Sequence, residues 1–146
     1  MIDKNWIGRE LAVSELSIER GRLVFFAKAT GETRSIYTNV EAARAAGFPD
    51  LPVPPTFLFA AELESGVTDK LLFDLQIPIS KLLHGEQTFT YHAQVFAGDT
   101  VKVRSTISDI YDKKRGALEF IVKTSKVFNQ RDEEVAELRA VLIVRH

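Results

Sequence analysis

Imidazole is the side chain that exchanges protons near neutral pH unaided, and this sequence holds three, His84, His92 and His146. His84 follows the apolar pair Leu82-Leu83 and sits two residues before Glu86 at the start of a strand-like run. It is either an acid–base group or a histidine satisfied by the backbone or by Glu86. His92 alternates with solvent-facing positions, which makes it a surface residue, and His146 is terminal and uninformative. A second grouping lies upstream, where Glu32-Thr33-Arg34-Ser35-Ile36-Tyr37 puts a carboxylate and a phenol in one loop. A phenol, with a pKa of about 10, is no base at pH 7 unless strongly perturbed. Other chemistries find no local support. The histidines and carboxylates show neither helical i, i+4 spacing nor a compact cluster, so no metal site is expected. There is no Gly-x-Gly phosphate loop and no Gly-x-Ser-x-Gly elbow. With no cysteine, disulfides, thiolate ligands and a cysteine nucleophile are all excluded.

Between these groups lies a stretch of different character. Pro54-Pro55-Thr56-Phe57-Leu58-Phe59-Ala60-Ala61-Glu62-Leu63-Glu64-Ser65 reads as a helix over 55–65. Proline suits a first helical turn, and Ser65-Gly66 supplies a stop. A surface helix keeps a broad polar face, and this one barely has any. The spacing predicts a helix wrapped on all sides, with Phe57, Phe59, Ala60 and Leu63 buried. The run Phe48 to Pro55 holds four of the five prolines and forms a stiff lead into it.

The remaining elements follow in order. Leu11 to Ser17 suits a short strand and residues 18–30 a helix, which Gly31 ends. Asn39 caps a short helix from Val40 to Ala46. Residues 71–83 are mixed, broken by Pro78. From Glu86 the period becomes two, with Thr88, Thr90, His92 and Gln94 on one face and Phe89, Tyr91, Ala93 and Val95 on the other. Ala97-Gly98-Asp99 reads as a turn, followed by strands over Val101–Ile110, Leu118–Phe128 and Val135–Val144. Charged or polar turns at Asp112–Gly116 and Asn129–Asp132 separate them. Short turns between successive strands predict an antiparallel meander of an α+β fold.

At 146 residues the chain reads as one domain over 1–146, large enough to bury roughly two thirds of its unfolded surface. A net charge of −1 and a pI near 6.3 leave no basic footprint for nucleic acid or an anionic membrane. No apolar run approaches the roughly 20 residues needed to cross a bilayer. The first residues lack the apolar centre of a signal peptide. The expectation is a cytoplasmic protein.

An antiparallel sheet wrapped round one apolar helix is the hot-dog architecture, and two stretches resemble one branch of it. The first is Ala29-Thr30-Gly31-Glu32-Thr33-Arg34-Ser35-Ile36-Tyr37, continued by Ala42, Ala43 and Gly47-Phe48. The second is Leu83-His84-Gly85-Glu86-Gln87-Thr88-Phe89, with Tyr91-His92 and Phe96-Ala97-Gly98-Asp99-Thr100 following. Across roughly residues 5–145 the chain resembles the MaoC-like (R)-specific enoyl-thioester hydratases and 3-hydroxyacyl-thioester dehydratases. The second stretch and the Pro-Pro-Thr-Phe motif are similar to the non-catalytic, N-terminal-half type.

In catalytic members of that family the loop reads Gly-Asp-x-Asn-Pro-x-His. Its Asp and His hold the water that adds to or leaves the acyl β-carbon, and a backbone N–H at the central helix receives charge on the thioester oxygen. By that resemblance Glu32 stands for the Asp, Arg34 for the Asn, Ser35 for the Pro and Tyr37 for the His. The family's His-Gly before the helix becomes Pro55-Thr56, and the Thr56 and Phe57 amides stay able to donate. The catalytic candidates are therefore Glu32, Tyr37 and His84, and the substrate-binding candidates Thr56, Phe57 and Gly31. The resemblance implies an acyl-CoA or acyl-carrier-protein thioester as ligand, with no cofactor. It also implies a homodimer, or a heterodimer with a MaoC-like catalytic subunit that supplies the Asp/His pair. An autonomous hydratase or thioesterase using non-standard residues, and a non-enzymatic acyl-thioester-binding protein, are the alternatives. Lys113-Lys114-Arg115 is an exposed hairpin tip or a contact for the carrier's phosphates.

Overall fold

Alternation along Val101, Val103, Ser105 and Ile107 turns one face of a long strand inward. A bulge between Ile107 and Asp109 then resets the phase, so that Ile110 is the next residue to point into the core. The computed structural model describes residues 1–146, and this strand is β3 (Thr100–Lys113) of a five-stranded antiparallel sheet. Its partners are β1 (Ser14–Ser17), β2 (Leu82–Tyr91), β4 (Leu118–Phe128) and β5 (Glu134–Arg145), in the order β1-β3-β4-β5-β2. The helices are α1 (Arg20–Ala29), α2 (Val40–Ala45), α3 (Phe59–Glu64) and α4 (Val67–Asp74). The sheet curls around α3, giving the expected α+β hot-dog fold.

The meander covers only part of the sheet. β3, β4 and β5 are successive neighbours, but β2 pairs with β5 on the far edge. Residues 92–99, read from sequence as the end of a strand and a hairpin turn, are instead a crossover between β2 and β3. The proline-rich lead holds that crossover in place: the Val53 amide donates to the Val95 carbonyl (2.9 Å) and the Ala97 amide to the Leu51 carbonyl (2.9 Å).

The central helix also departs from expectation at both ends. Thr56 has φ +72°, which no α-helix accommodates, so the chain turns through 55–58 and α3 starts only at Phe59. The buried face is Phe57, Leu58, Ala61 and Glu62, while Phe59 and Ala60 are half-buried and Leu63 is 53% exposed. Leu63 was expected inside; Glu62 takes the inward position instead, because a lysine of β4 meets its charge there. Gly66, at φ +70°, then turns the chain directly into α4, whose Val67, Leu71 and Leu72 are buried. The mixed composition of the run from Leu71 gives no local signal for this helix.

Two apolar clusters fill the inside of the curl. One joins α1, α3, β1 and the near ends of β3–β5 around Leu23, Leu51, Phe57 and Leu138. The other joins α4 to the far ends of the strands around Leu71, Ile107, Ile121 and Leu142. A smaller group on the outer face, Phe120, Val122 and Val141, explains why the central strands are buried on both sides. No helix is long and apolar enough to cross a membrane.

Candidate functional site

The loop expected to carry the chemistry is held by its own arginine. The Glu32 carboxylate accepts from Arg34 Nη2 (2.7 Å), Arg34 Nε (3.0 Å) and the Arg34 amide (2.9 Å). Those side-chain and backbone hydrogen bonds lower the Glu32 pKa to about 2. A carboxylate so far below neutrality is a weak proton acceptor. The same guanidinium lies over the Tyr37 ring, 4.9 Å from its centroid. Gly31 stands at the head of the loop at φ +74°, and its place is conformational, since it ends α1 where a side chain would be strained.

Tyr37 nonetheless faces a cavity. A hollow of about 320 Å³ is lined by Tyr37, Val53, Pro55, Leu58, Tyr91, His92, Ala93, Gln94 and Val95. Its wall is thus made by the loop, the proline-rich lead, the start of the central helical stretch and the β2–β3 crossover. Apolar side chains dominate, and a few polar groups converge on them, as in small-ligand sites generally. Neither Glu32 nor Gly31 lines it.

The two amides ahead of the helix are already engaged. The Thr56 N–H donates to the Tyr91 hydroxyl oxygen at 2.9 Å, and the Phe57 N–H to the Pro54 carbonyl at 3.2 Å. Thr56 stands, by the resemblance, where the catalytic branch has glycine, and its own positive φ is a conformation that glycine adopts without strain. The Phe57 side chain packs inward, edge-on to Phe26 with centroids 5.3 Å apart, so it supports the site from behind.

His84 does not join Tyr37. It is exposed on β2 beside the bulge between His84 and Glu86, with its ring edge-on to Phe59 at 5.2 Å. Glu86 pairs with Arg139 at 3.1 Å, not with His84. The histidine on the cavity is His92, which strand alternation alone places on open surface; its Nε2 lies 3.6 Å from Glu134 Oε1. Strand alternation shows that a residue points outward, but not that a crossover and a proline-rich lead will build a wall in front of it. His146 meets the buried Glu119 at 2.5 Å, away from the cavity lining. The Lys113–Arg115 turn is an exposed hairpin tip, with Lys114 and Arg115 at positive φ and Lys113 Nζ over the Phe120 ring at 4.9 Å.

Comparison with known proteins agrees with this fold. The family model for the FAS1-like dehydratase domain region matches residues 5–138. A UPF0336 protein of Parafrankia sp. (strain EAN1pec) is 35% identical over 99% of this chain and 95% of its own length. One from Streptomyces avermitilis is 31% identical over 99% of this chain and 95% of its own. Among solved structures, a chain of the C-terminally truncated HadBC (3R-hydroxyacyl-ACP dehydratase) complex from Mycobacterium tuberculosis superposes with a TM-score of 0.78. It is 22% identical, with 94% of this chain and 96% of that one covered. The (R)-hydratase from A. caviae superposes with a TM-score of 0.68 at 19% identity, covering 93% and 94%. At such identities the superpositions speak for the fold, which is that of the MaoC-like hot-dog proteins, while the family match spans nearly the whole sequence: this chain belongs to the FAS1-like dehydratase region family.

Proposed function

We propose that this chain is the substrate-holding subunit of an (R)-specific enoyl-thioester hydratase or 3-hydroxyacyl-thioester dehydratase, with a MaoC-like partner supplying the Asp/His pair. The observation that carries this reading is the state of the loop. Glu32 is tied to Arg34 with its pKa lowered to about 2, and a tyrosine stands where a base is needed. Hydration of an enoyl thioester requires one group to take a proton from water and one to return it to the α-carbon, and this loop offers neither near neutral pH. The cavity beside the helical stretch has largely apolar walls, suited to an acyl chain.

The assembly follows from the sheet. β2 is an edge strand of ten residues, none of them fully buried, and long free edges in native proteins are covered. Pairing of that edge with a second hot-dog sheet, in a homodimer or a heterodimer, satisfies its free amides and carbonyls. The HadBC complex offers a precedent for two such chains assembling. The test is reconstitution: hydration of crotonyl-CoA by this chain alone, then with a MaoC-like chain bearing the intact loop. The isolated chain should fall below the mixture by about two to four orders of magnitude, the usual worth of acid–base catalysis.

A second reading has one observation in its favour. His92 lines the cavity with Tyr37 and approaches Glu134, so an imidazole–carboxylate pair is present, though not in the loop. If the isolated chain hydrates thioesters well and His92→Ala abolishes this, the chain is an autonomous enzyme using a displaced base.

A further inference from the structure

We infer that the hydroxyl of Tyr91 is the group through which this chain binds the carbonyl oxygen of an acyl thioester, with the Thr56 amide acting behind it; the inference rests on the reading of the cavity as a thioester site. In the 2.9 Å bond between them the Thr56 N–H donates and the phenol oxygen accepts. The phenol proton is therefore free to point elsewhere, and no acceptor in this chain takes it. Tyr91 lines the cavity, so that proton has an apolar hollow beside it. A hydroxyl that accepts from an amide is polarised and becomes a better donor in turn.

The alternative is direct contact between thioester and amide, and the packing opposes it. Reaching the Thr56 N–H would require the ligand to expel the phenol. Tyr91 is the last residue of β2, opposite Ala136 of β5, and its ring stacks on Phe89 with an interplanar angle of 7°. Thr56, for its part, is held at φ +72°, a conformation a β-branched residue adopts only when its surroundings impose it. The amide is thus directed at Tyr91 by a strained turn, and Tyr91 is set by its strand. The phenol extends the donor from the backbone into the hollow, where Tyr37, His92 and Gln94 are the other polar neighbours.

The test separates the carbonyl from the rest of the ligand. Binding of butyryl-CoA and of S-butyl-CoA, a thioether lacking the carbonyl, is measured calorimetrically on the full chain and on Tyr91→Phe. The wild-type protein should favour the thioester by several-fold to about tenfold, the worth of one hydrogen bond. In Tyr91→Phe the preference should vanish while thioether affinity stays unchanged. The carbonyl stretch of butyryl-CoA bound to the wild-type protein should also move to lower wavenumber, a readout that needs no variant. A preference that survives in Tyr91→Phe, tighter thioester binding by that variant, or an unshifted carbonyl band would overturn the assignment. Failure of the wild-type protein to bind either compound would instead overturn the thioester reading itself, and this inference with it.

Discussion

Glu62 on the central helix and Lys123 on β4 face each other at 3.2 Å inside the curl of the sheet, their side chains 1% and 2% exposed. The two ions sit among residues that tie the layers together. Glu62 Oε1 accepts from Ser105 of β3 at 2.9 Å and from Ser125 of β4, and Lys123 donates to Thr68 of α4 at 3.2 Å. Glu62 Oε2 meets the ammonium without a well-directed hydrogen bond. α3, α4, β3 and β4 are thus joined through one polar knot, made by α3 of the first apolar cluster and the strands and helix of the second.

Breaking one side of this pair should cost far more than replacing both. Lys123→Met leaves a buried carboxylate uncompensated and should lower stability by about 3–5 kcal/mol. The double variant Glu62→Leu/Lys123→Met removes both charges and should recover most of that loss. Urea unfolding of the two single variants and the double one measures the coupling, and additive losses would show that the ions do not interact.

This pair also marks where the sequence stopped being informative. The strands were legible because period-two alternation is local, and β4 was read with both ends in place at Leu118 and Phe128. The inward face of the central helix was not. Hydrophobicity favours Leu63 over Glu62, and the lysine that reverses the choice lies far along the chain. Strand order was hidden for the same reason, since nothing local in 92–99 says that β2 will pair with β5. In the site, Tyr37 and the position of Thr56 could be located from the motif, whereas the strained turn at Thr56 and the place of His92 depend on walls built by distant segments.

Glu32 should titrate far below other glutamates. Its folded pKa of about 2 lies under the ordinary 4.5, so the ion pair with Arg34 favours the folded state above the ordinary carboxylate range. That contribution is lost as pH falls from about 4.5 towards 2. Carboxyl carbon NMR on labelled protein measures it directly, and Arg34→Ala should return Glu32 to the normal range. A Glu32 midpoint near the ordinary value in the wild-type protein would mean that the arginine does not hold the loop.

Thr56→Gly should stabilise the fold slightly. The positive φ penalises a residue with a β-carbon by about 1–2 kcal/mol, and glycine's greater freedom in the unfolded chain returns about 0.4–1 kcal/mol of that. The expected net gain is a few tenths to about 1 kcal/mol. A loss in thermal or urea unfolding would show that the threonine side chain makes a contact outweighing the strain of its backbone.

Gly85 should resist substitution for a steric reason. A β-carbon there would stand 2.6 Å from Ile143 Cδ1 and 3.2 Å from the Val141 carbonyl oxygen. The isoleucine tip can swing aside, but the backbone carbonyl of β5 cannot do so without disturbing the β2–β5 ladder. Gly85→Ala should cost about 1–3 kcal/mol, the range for overpacking. Because β2 is the edge proposed to meet a partner, Gly85→Ala should weaken assembly as well as stability, which sedimentation at matched folded concentrations separates.

The loop substitutions decide between the two functional readings, and they do so best in the assembled enzyme. When a partner supplies the acid–base pair, Glu32→Gln and Tyr37→Phe in this chain remove no proton transfer. The turnover number should then change by less than about threefold, against the two to four orders expected for a true acid or base. His92→Ala should likewise leave turnover intact, because its nearest carboxylate, Glu134 at 3.6 Å, also pairs with Lys126 at 3.1 Å. A fall of a hundredfold or more in His92→Ala, with loss of a limb of the pH–rate profile in the imidazole range, would place the base on this chain and overturn the division of labour between subunits.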